Sequence, residues 1–263
     1  MSVENIFDLT GKVVLVTGGN SGLGLAFARG VARSGADVLI WGRDAAKNKA
    51  VLGEFSEKYP GRCAVEEVDV SDEQEVVAGI ASGVERFGRL DTVFVNAGIS
   101  TMQPSFLDIT TPIYEALLAI NQHGAFFTLR EAARHMVARA EAGDPGGSLV
   151  ICGSLSIGLG VPGLEHYAAA KGALNSMSKS LAVGLGRHGI RVNTIAPGYI
   201  KTEMAAANPD EGIEGLFASR TPLGRVGYPD DIQGIAVYLT SDLSSFHSGD
   251  TILIDGAMGV TLV

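Results

Sequence analysis

Seven short runs of β-branched and apolar residues recur along this 263-residue chain, separated by longer stretches with helical periodicity. The runs are Lys12–Thr17, Asp37–Trp41, Cys63–Val68, Thr92–Val95, Ser148–Cys152, Arg191–Ile195 and Thr251–Ile254. Their nearly continuous hydrophobicity predicts strands buried on both faces, as in a parallel sheet. Helical patterns lie near Gly22–Ser34, Ala45–Tyr59, Asp72–Phe87, Pro112–Arg139 (read as two helices), Tyr167–His188 and Asp230–Thr240. The alternation predicts an α/β fold: a doubly wound parallel β-sheet of about seven strands, helices on both faces, right-handed crossovers. No internal repeat or low-complexity linker divides the chain, and Gly143–Gly147 reads as a surface turn, so residues 1–263 form one domain. Only Tyr199–Tyr228 departs from the rhythm, with little strand signal and much Gly, Pro and Ala. A long excursion of this kind suits a lid.

Composition narrows the function. Apolar residues make up 46% of the chain and its 35 glycines show no period, which excludes disorder and collagen. The net charge is −9 with no Lys/Arg stripe, so neither a nucleic-acid groove nor a membrane patch is expected. No uninterrupted apolar run approaches the ~20 residues of a membrane span. Met1–Thr10 lacks the basic-then-apolar pattern of a signal peptide. Cys63 and Cys152 sit in apolar runs and read as buried free thiols, so the expected location is cytoplasmic. His123, His135, His166, His188 and His247 are scattered at spacings that suit no metal.

The first strand runs into Gly18-Gly19-Asn20-Ser21-Gly22-Leu23-Gly24, and a helix pattern follows at once. Glycines let the backbone turn sharply and approach a pyrophosphate, which the free N–H groups and positive dipole end of the helix then hold. In a strand–helix–strand setting this points to a dinucleotide. The spacing, Gly-x₃-Gly-x-Gly, departs from the commoner Gly-x-Gly-x₂-Gly.

Tyr167 and Lys171 stand four apart and share one helix face, with Ser154 thirteen residues upstream of the tyrosine. An ammonium near a phenol favours the phenolate, so such a tyrosine can exchange a proton with a carbonyl or alcohol oxygen near neutral pH.

Thr17-Gly18-x₃-Gly22-x-Gly24, Asn96-Ala97-Gly98, Ser154, Tyr167-x₃-Lys171 and Pro197-Gly198 together resemble the short-chain dehydrogenase/reductase family, in its single-domain branch of roughly this length. The resemblance spans Leu9 to Gly259 and implies a Rossmann-type sheet. It implies Tyr167 as acid/base, Lys171 as the residue that tunes it and binds the nicotinamide ribose, and Ser154 as the hydroxyl steadying the substrate oxygen, with Ser156 close enough to compete. It implies Asn121 as a catalytic residue that helps hold a water in a proton relay. For the cofactor it implies Gly18, Asn20, Ser21, Gly22, Leu23 and Gly24 around the phosphates, Asp69 and Val70 at the adenine, and Asn96, Ala97 and Gly98 along the adenosine ribose. Pro197, Gly198, Ile200 and Thr202 would close over the nicotinamide, beside Tyr167 and Lys171. Asp69 is equally readable as a helix cap.

NAD-selective members usually carry Asp where this chain has Gly42, and Arg43 follows, a guanidinium suited to a 2′-phosphate. NADP(H) is therefore favoured, with NAD(H) possible; Asn20 and Ser21 supply no second cation, and Asp44 adjoins Arg43. The expected reaction is hydride transfer between the nicotinamide and a carbonyl or secondary alcohol. Leu155–Leu164, Ser100–Gln103 and the lid, including Met204 and Phe217, lean toward a mid-sized, mostly apolar small molecule. A sugar or polyol dehydrogenase and a 3-oxoacyl-carrier reductase would use the same residues; the latter would want a basic patch, for which Arg130 and Arg134 are candidates. A non-catalytic NAD(P)H sensor would not need Ser154, Asn121, Tyr167 and Lys171 together. A homotetramer is expected by resemblance, with a dimer possible.

Overall fold

A computed structural model describes residues 6–206 and 212–261. The expected strands hold in type and order: β1 (Val13–Thr17), β2 (Asp37–Gly42), β3 (Cys63–Glu67), β4 (Thr92–Val95), β5 (Gly147–Cys152), β6 (Ile190–Pro197) and β7 (Thr251–Ile254). They pair in parallel in the order β3-β2-β1-β4-β5-β6-β7. Successive side chains of a strand point to opposite faces, and here both faces are apolar. Val14 and Val16 of β1 enter one core with Phe27, Val31, Phe55 and Ala236. Val13 and Leu15 enter the other with Val76, Leu129, Met136 and Leu174.

The first core is covered by α1 (Gly22–Arg33), α2 (Ala45–Lys58) and α9 (Gln233–Thr240). The second is covered by α3 (Glu73–Phe87), α5 (Ala125–Glu141) and α6 (Glu165–Leu185). Phe27 of α1 stacks on Phe94 of β4 with ring centroids 4.9 Å apart. Asp44 caps α2 by accepting from the Ala46 and Lys47 amides, and Asp72 caps α3 in the same way.

The 112–139 stretch differs from the expected pair of separate helices. α4 (Thr111–Leu118) passes into α5 through a π-helical turn, Ala119–Gly124, without a loop. Such a bulge adds a residue to one turn and recurs at functional sites. The lid contains two short helices, α7 (Glu203–Ala206) and α8 (Ile213–Arg220); residues 207–211 of the expected lid lie outside the described residues. Its two ends are fastened together. The Lys201 amide donates to Gly227 O at 2.9 Å, and the Gly227 amide donates to Tyr199 O at 2.9 Å.

The chain reverses its direction of travel across the sheet at β1 and β4. Ligands of open α/β sheets bind in the crevice beyond the carboxyl ends of the strands at such a switch point. Thr17 ties the two strands there: its Oγ1 accepts from the Asn96 and Ala97 amides at 2.9 and 3.0 Å.

Candidate active site

A cleft of about 990 Å³ opens above this switch point and runs under the lid. At one end it is lined by Gly18, Asn20, Ser21, Gly22 and Leu23, with Gly42, Arg43 and Lys47 beside them. Val70, Asn96, Ala97 and Gly98 line it after β3 and β4, and Ser154, Tyr167, Lys171, Pro197, Gly198 and Ile200 line it after β5 and β6, with Thr202 of the lid coming back over Gly22. Three expected site residues do not line it: Gly24, Asp69 and Asn121.

Gly24 acts from behind the wall. A Cβ there would lie 2.5 Å from Asn96 Nδ2 and closer still to Gly18 O. Only glycine allows α1 to start this near to the turn that would hold the phosphates.

Asp69 is not the cap of α3, since Asp72 fills that position. It accepts from the Ser71 amide and hydroxyl at 2.9 and 2.7 Å, and from Arg43 Nη1 at 3.3 Å. Burial alone would raise its pKa; the Ser71 hydrogen bonds and the Arg43 charge outweigh that and hold it below the ordinary carboxylate value. Asp44, being spent on its cap, does not engage Arg43.

Asn121 sits in the π-turn, fully buried. Its Oδ1 accepts from the Ile99 amide and its Nδ2 donates to Ile99 O, both at 2.8 Å. The side chain thus anchors the strand-like segment after Asn96-Ala97-Gly98.

Ser154 follows β5 and heads a turn of 3₁₀ helix, Leu155–Ile157. Its Oγ accepts from the Ser156 amide at 3.1 Å and lies 3.0 Å from Ser156 Oγ. Tyr167 is in the first turn of α6, one turn before Lys171. The buried Lys171 donates to Cys152 O at 2.7 Å and stands 5.6 Å from the centre of the Tyr167 ring. A hydroxyl, a phenol and an ammonium therefore converge at the end of β5 and the start of α6. This set can bind an oxygen, exchange a proton with it and stabilise charge on it.

Two residues at the opposite end carry no signature in the sequence. Asn48 Nδ2 donates to Gly42 O at 2.8 Å, and Asn48 Oδ1 accepts from Asn20 Nδ2 at 2.8 Å. This pair of amides fills the place where a side chain at position 42 would project: a Cβ on Gly42 would lie 2.6 Å from Asn48 Oδ1 and nearer still to Asn20 Nδ2. Lys47 lines the cleft one turn into α2 and reaches across it to pair with Glu203 of the lid. It is a second cation beside Arg43, in a position that Asn20 and Ser21 do not supply.

Cys63 and Cys152 are buried and unpaired; burial pushes the Cys63 thiol up to about 12 and the Cys152 thiol upward as well. Among the described residues, no group of three or more His, Cys, Asp or Glu is arranged to hold a metal, and no helix is long and apolar enough to cross a membrane. Arg130 pairs with Glu73 and Glu131, and Arg134 lies 3.9 Å from Glu131, so neither is a free cation.

Residues 18–260 match the family model described as enoyl-(acyl carrier protein) reductase. The chain is 38% identical over 256 residues to an L-rhamnose 1-dehydrogenase (NAD(P)(+)) of Sphingomonas sp., covering 97% of this chain and 98% of the relative. It is 39% identical over 255 residues to an NADP-dependent (R)-specific alcohol dehydrogenase of Lentilactobacillus kefiri, covering 94% and 96%. The crystal structure of a gluconate 5-dehydrogenase from Burkholderia cenocepacia, in complex with NADP and tartrate, superimposes with a TM-score of 0.90 at 32% identity, covering 97% of this chain and 98% of that one.

Proposed function

The chain belongs to the short-chain dehydrogenase/reductase family, and we propose that it transfers hydride between a nicotinamide cofactor, NADP(H) in preference to NAD(H), and a carbonyl or secondary alcohol. The observation that carries this reading is the convergence of Ser154, Tyr167 and Lys171 in the same cleft as the glycine turn and Arg43. When bound, the nicotinamide supplies the hydride chemistry; the protein supplies the rest. The amides at the start of α1 and the turn before it hold the pyrophosphate. Arg43 and Lys47 would hold a 2′-phosphate, while the Asn20–Asn48 pair stands where a carboxylate selective for NAD would project. Lys171, held by Cys152 O and 5.6 Å from the centre of the Tyr167 ring, would bind the ribose hydroxyls.

For reduction, Ser154 Oγ donates to the carbonyl oxygen and Tyr167 delivers a proton to it as charge develops there. Lys171 and the ribose hydroxyls would pass the replacement proton to Tyr167 from water, while the Asn121 side chain is committed to Ile99. Oxidation of an alcohol runs the same steps backwards. The apolar lining by Met102, Leu159, Val161, Leu164, Met204 and Phe217 supports a mid-sized substrate with an apolar body. The rhamnose and gluconate dehydrogenases among the relatives favour a sugar or polyol as the second reading.

The two unpaired buried thiols support a reducing, cytoplasmic location. The exposed Leu243, Phe246, Leu253 and Val260 around the edge strand β7 support assembly into a homo-oligomer, a tetramer by family resemblance.

The test is turnover with a panel of ketones and NADPH deuterated at the transferable position. Deuterium on the carbinol carbon of the product is the expected result. Tight NADPH binding with no cofactor oxidation by any ketone would overturn the reading in favour of a cofactor sensor.

A further inference from the structure

Four cationic side chains line the cleft, and three of them are engaged. Arg43 pairs with Asp69, Lys47 pairs with Glu203, and Lys171 donates to Cys152 O. The fourth is Arg220, the last residue of α8. It is exposed and, among the described residues, makes no ion pair or side-chain hydrogen bond. Its neighbours on the lid behave differently: Lys201 pairs with Glu214 at 3.0 Å, and Arg225 grips Asp231 through bonds of 2.6 and 2.8 Å. In a chain of net charge −9, a bare guanidinium does not reflect a shortage of carboxylates.

The helix that carries Arg220 sets its direction. Ile213, Leu216, Phe217 and Arg220 fall at helical spacings of three, four and seven residues and share one face of α8. All four line the cleft. Phe217 stacks on Tyr199, with ring centroids 4.5 Å apart and planes 21° apart, which makes this face of the lid an apolar wall. Facing it are Leu159 and Val161 from the segment after Ser154, and Met102. Glu203, the acidic lining residue of the lid among the described residues, is paired with Lys47. The cleft therefore offers the Ser154 hydroxyl and Tyr167 phenol, hydrocarbon from both the lid and the segment after Ser154, and one unpaired fork of N–H donors.

We propose that Arg220 is a specificity-determining residue that pairs with a substrate carboxylate, so that the substrate is an oxo acid or the matching hydroxy acid with an apolar spacer between the reacting carbon and the carboxylate. The proposal rests on the hydride-transfer reading above. In the reaction the carbonyl carbon gains hydride and its oxygen gains the proton from Tyr167, while the carboxylate stays unchanged as an anchor. A guanidinium matches a carboxylate in two parallel hydrogen bonds, stronger than neutral ones. Hydroxyls along the spacer, as in a sugar acid, would be buried against Leu159, Val161 and Phe217 without partners, at a cost. An unbranched or alkyl-substituted chain would meet no such penalty.

The experiment is steady-state reduction by NADPH of methyl-ketone monocarboxylates of increasing chain length, each beside its methyl ester, with the wild type, Arg220→Gln and Arg220→Lys. The best acid is expected to exceed its ester in kcat/KM by about tenfold, the low end for a charge-assisted hydrogen bond in an open cleft. Arg220→Gln should remove that preference through KM, leaving kcat and the ester little changed, and Arg220→Lys should restore part of it. Equal use of acid and ester by the wild type, or an equal loss for both in Arg220→Gln, would overturn the proposal. Reduction of neutral ketones but of no acid would overturn it and leave the hydride-transfer reading standing. Tight NADPH binding with no carbonyl reduced would take both down.

Discussion

Replacing Arg43 by Ala should cost affinity for NADPH and spare NADH. A charge-assisted hydrogen bond is worth about 1.5–3 kcal/mol. The Arg43 side chain is 53% exposed, so the low end applies. To reach a 2′-phosphate it must also give up its pairing with Asp69 at 3.3 Å, a surface ion pair worth about 0–1 kcal/mol. The net is about 0.5–1.5 kcal/mol, or about two- to thirteenfold in Kd. Lys47→Ala should add a smaller loss, because its ammonium is released from Glu203 only when the phosphate takes it. Titration of each variant with NADPH and NADH, followed by nicotinamide fluorescence, reads the ratio directly. The wild-type preference should shrink with added salt, as expected for partly exposed charges. An unchanged NADPH-to-NADH affinity ratio in Arg43→Ala would refute the reasoning, and equal loss of both cofactors would show that Arg43 acts on the loop and not on a phosphate.

Other outcomes follow from the same geometry. Gly24→Ala should abolish binding of both cofactors in the same titration, since its Cβ has no room against Asn96 and Gly18. Asn121→Ala strands the Ile99 amide and carbonyl and should lower the unfolding free energy in urea by about 2–6 kcal/mol, at about 1–3 kcal/mol for each group left unpaired. Asp91→Asn should cost about 3–5 kcal/mol, because the buried carboxylate is bound by Arg89, Arg139 and the Val13 amide. Burial would raise the Asp91 pKa, but those partners hold it below the ordinary value. Its contribution is therefore complete above the unfolded value of about 4 and is lost as pH falls through the lower folded one. Acid unfolding followed by circular dichroism should show a shallower decline below about pH 4 in Asp91→Asn than in the wild type.

The strands were legible because a buried parallel strand is apolar along its whole length, and the order of elements followed from that. The catalytic pair was legible because Tyr167 and Lys171 lie on one helix, where spacing fixes geometry. The glycine turn was legible because only its residue type permits the close packing seen at Gly24. What was missed depends on contacts between distant segments. Asn20 and Asn48 lie 28 residues apart, and nothing local says that their amides meet beneath Gly42. Lys47 reads as an ordinary residue on a polar helix until the lid brings Glu203 across to it. The sequence suggests two helices over 112–139 but not how they join; in the fold the π-turn at Ala119–Gly124 links them without a loop, with Asn121 hydrogen-bonded to Ile99. Asp69 reads in the sequence as an adenine contact or a cap; Asp72 takes the cap, and Asp69 holds an Asx turn and an ion pair with Arg43 that no local pattern announces.

The reading stands or falls on Tyr167. Tyr167→Phe removes one oxygen atom and leaves the packing of α6 and the Lys171–Cys152 hydrogen bond in place. With a ketone that the wild type reduces, kcat should fall by about 10²–10⁴-fold, the usual contribution of a general acid, while NADPH affinity is largely retained. A variant that still turns over at the wild-type rate would contradict the assignment of Tyr167 as the proton donor and with it the proposed mechanism.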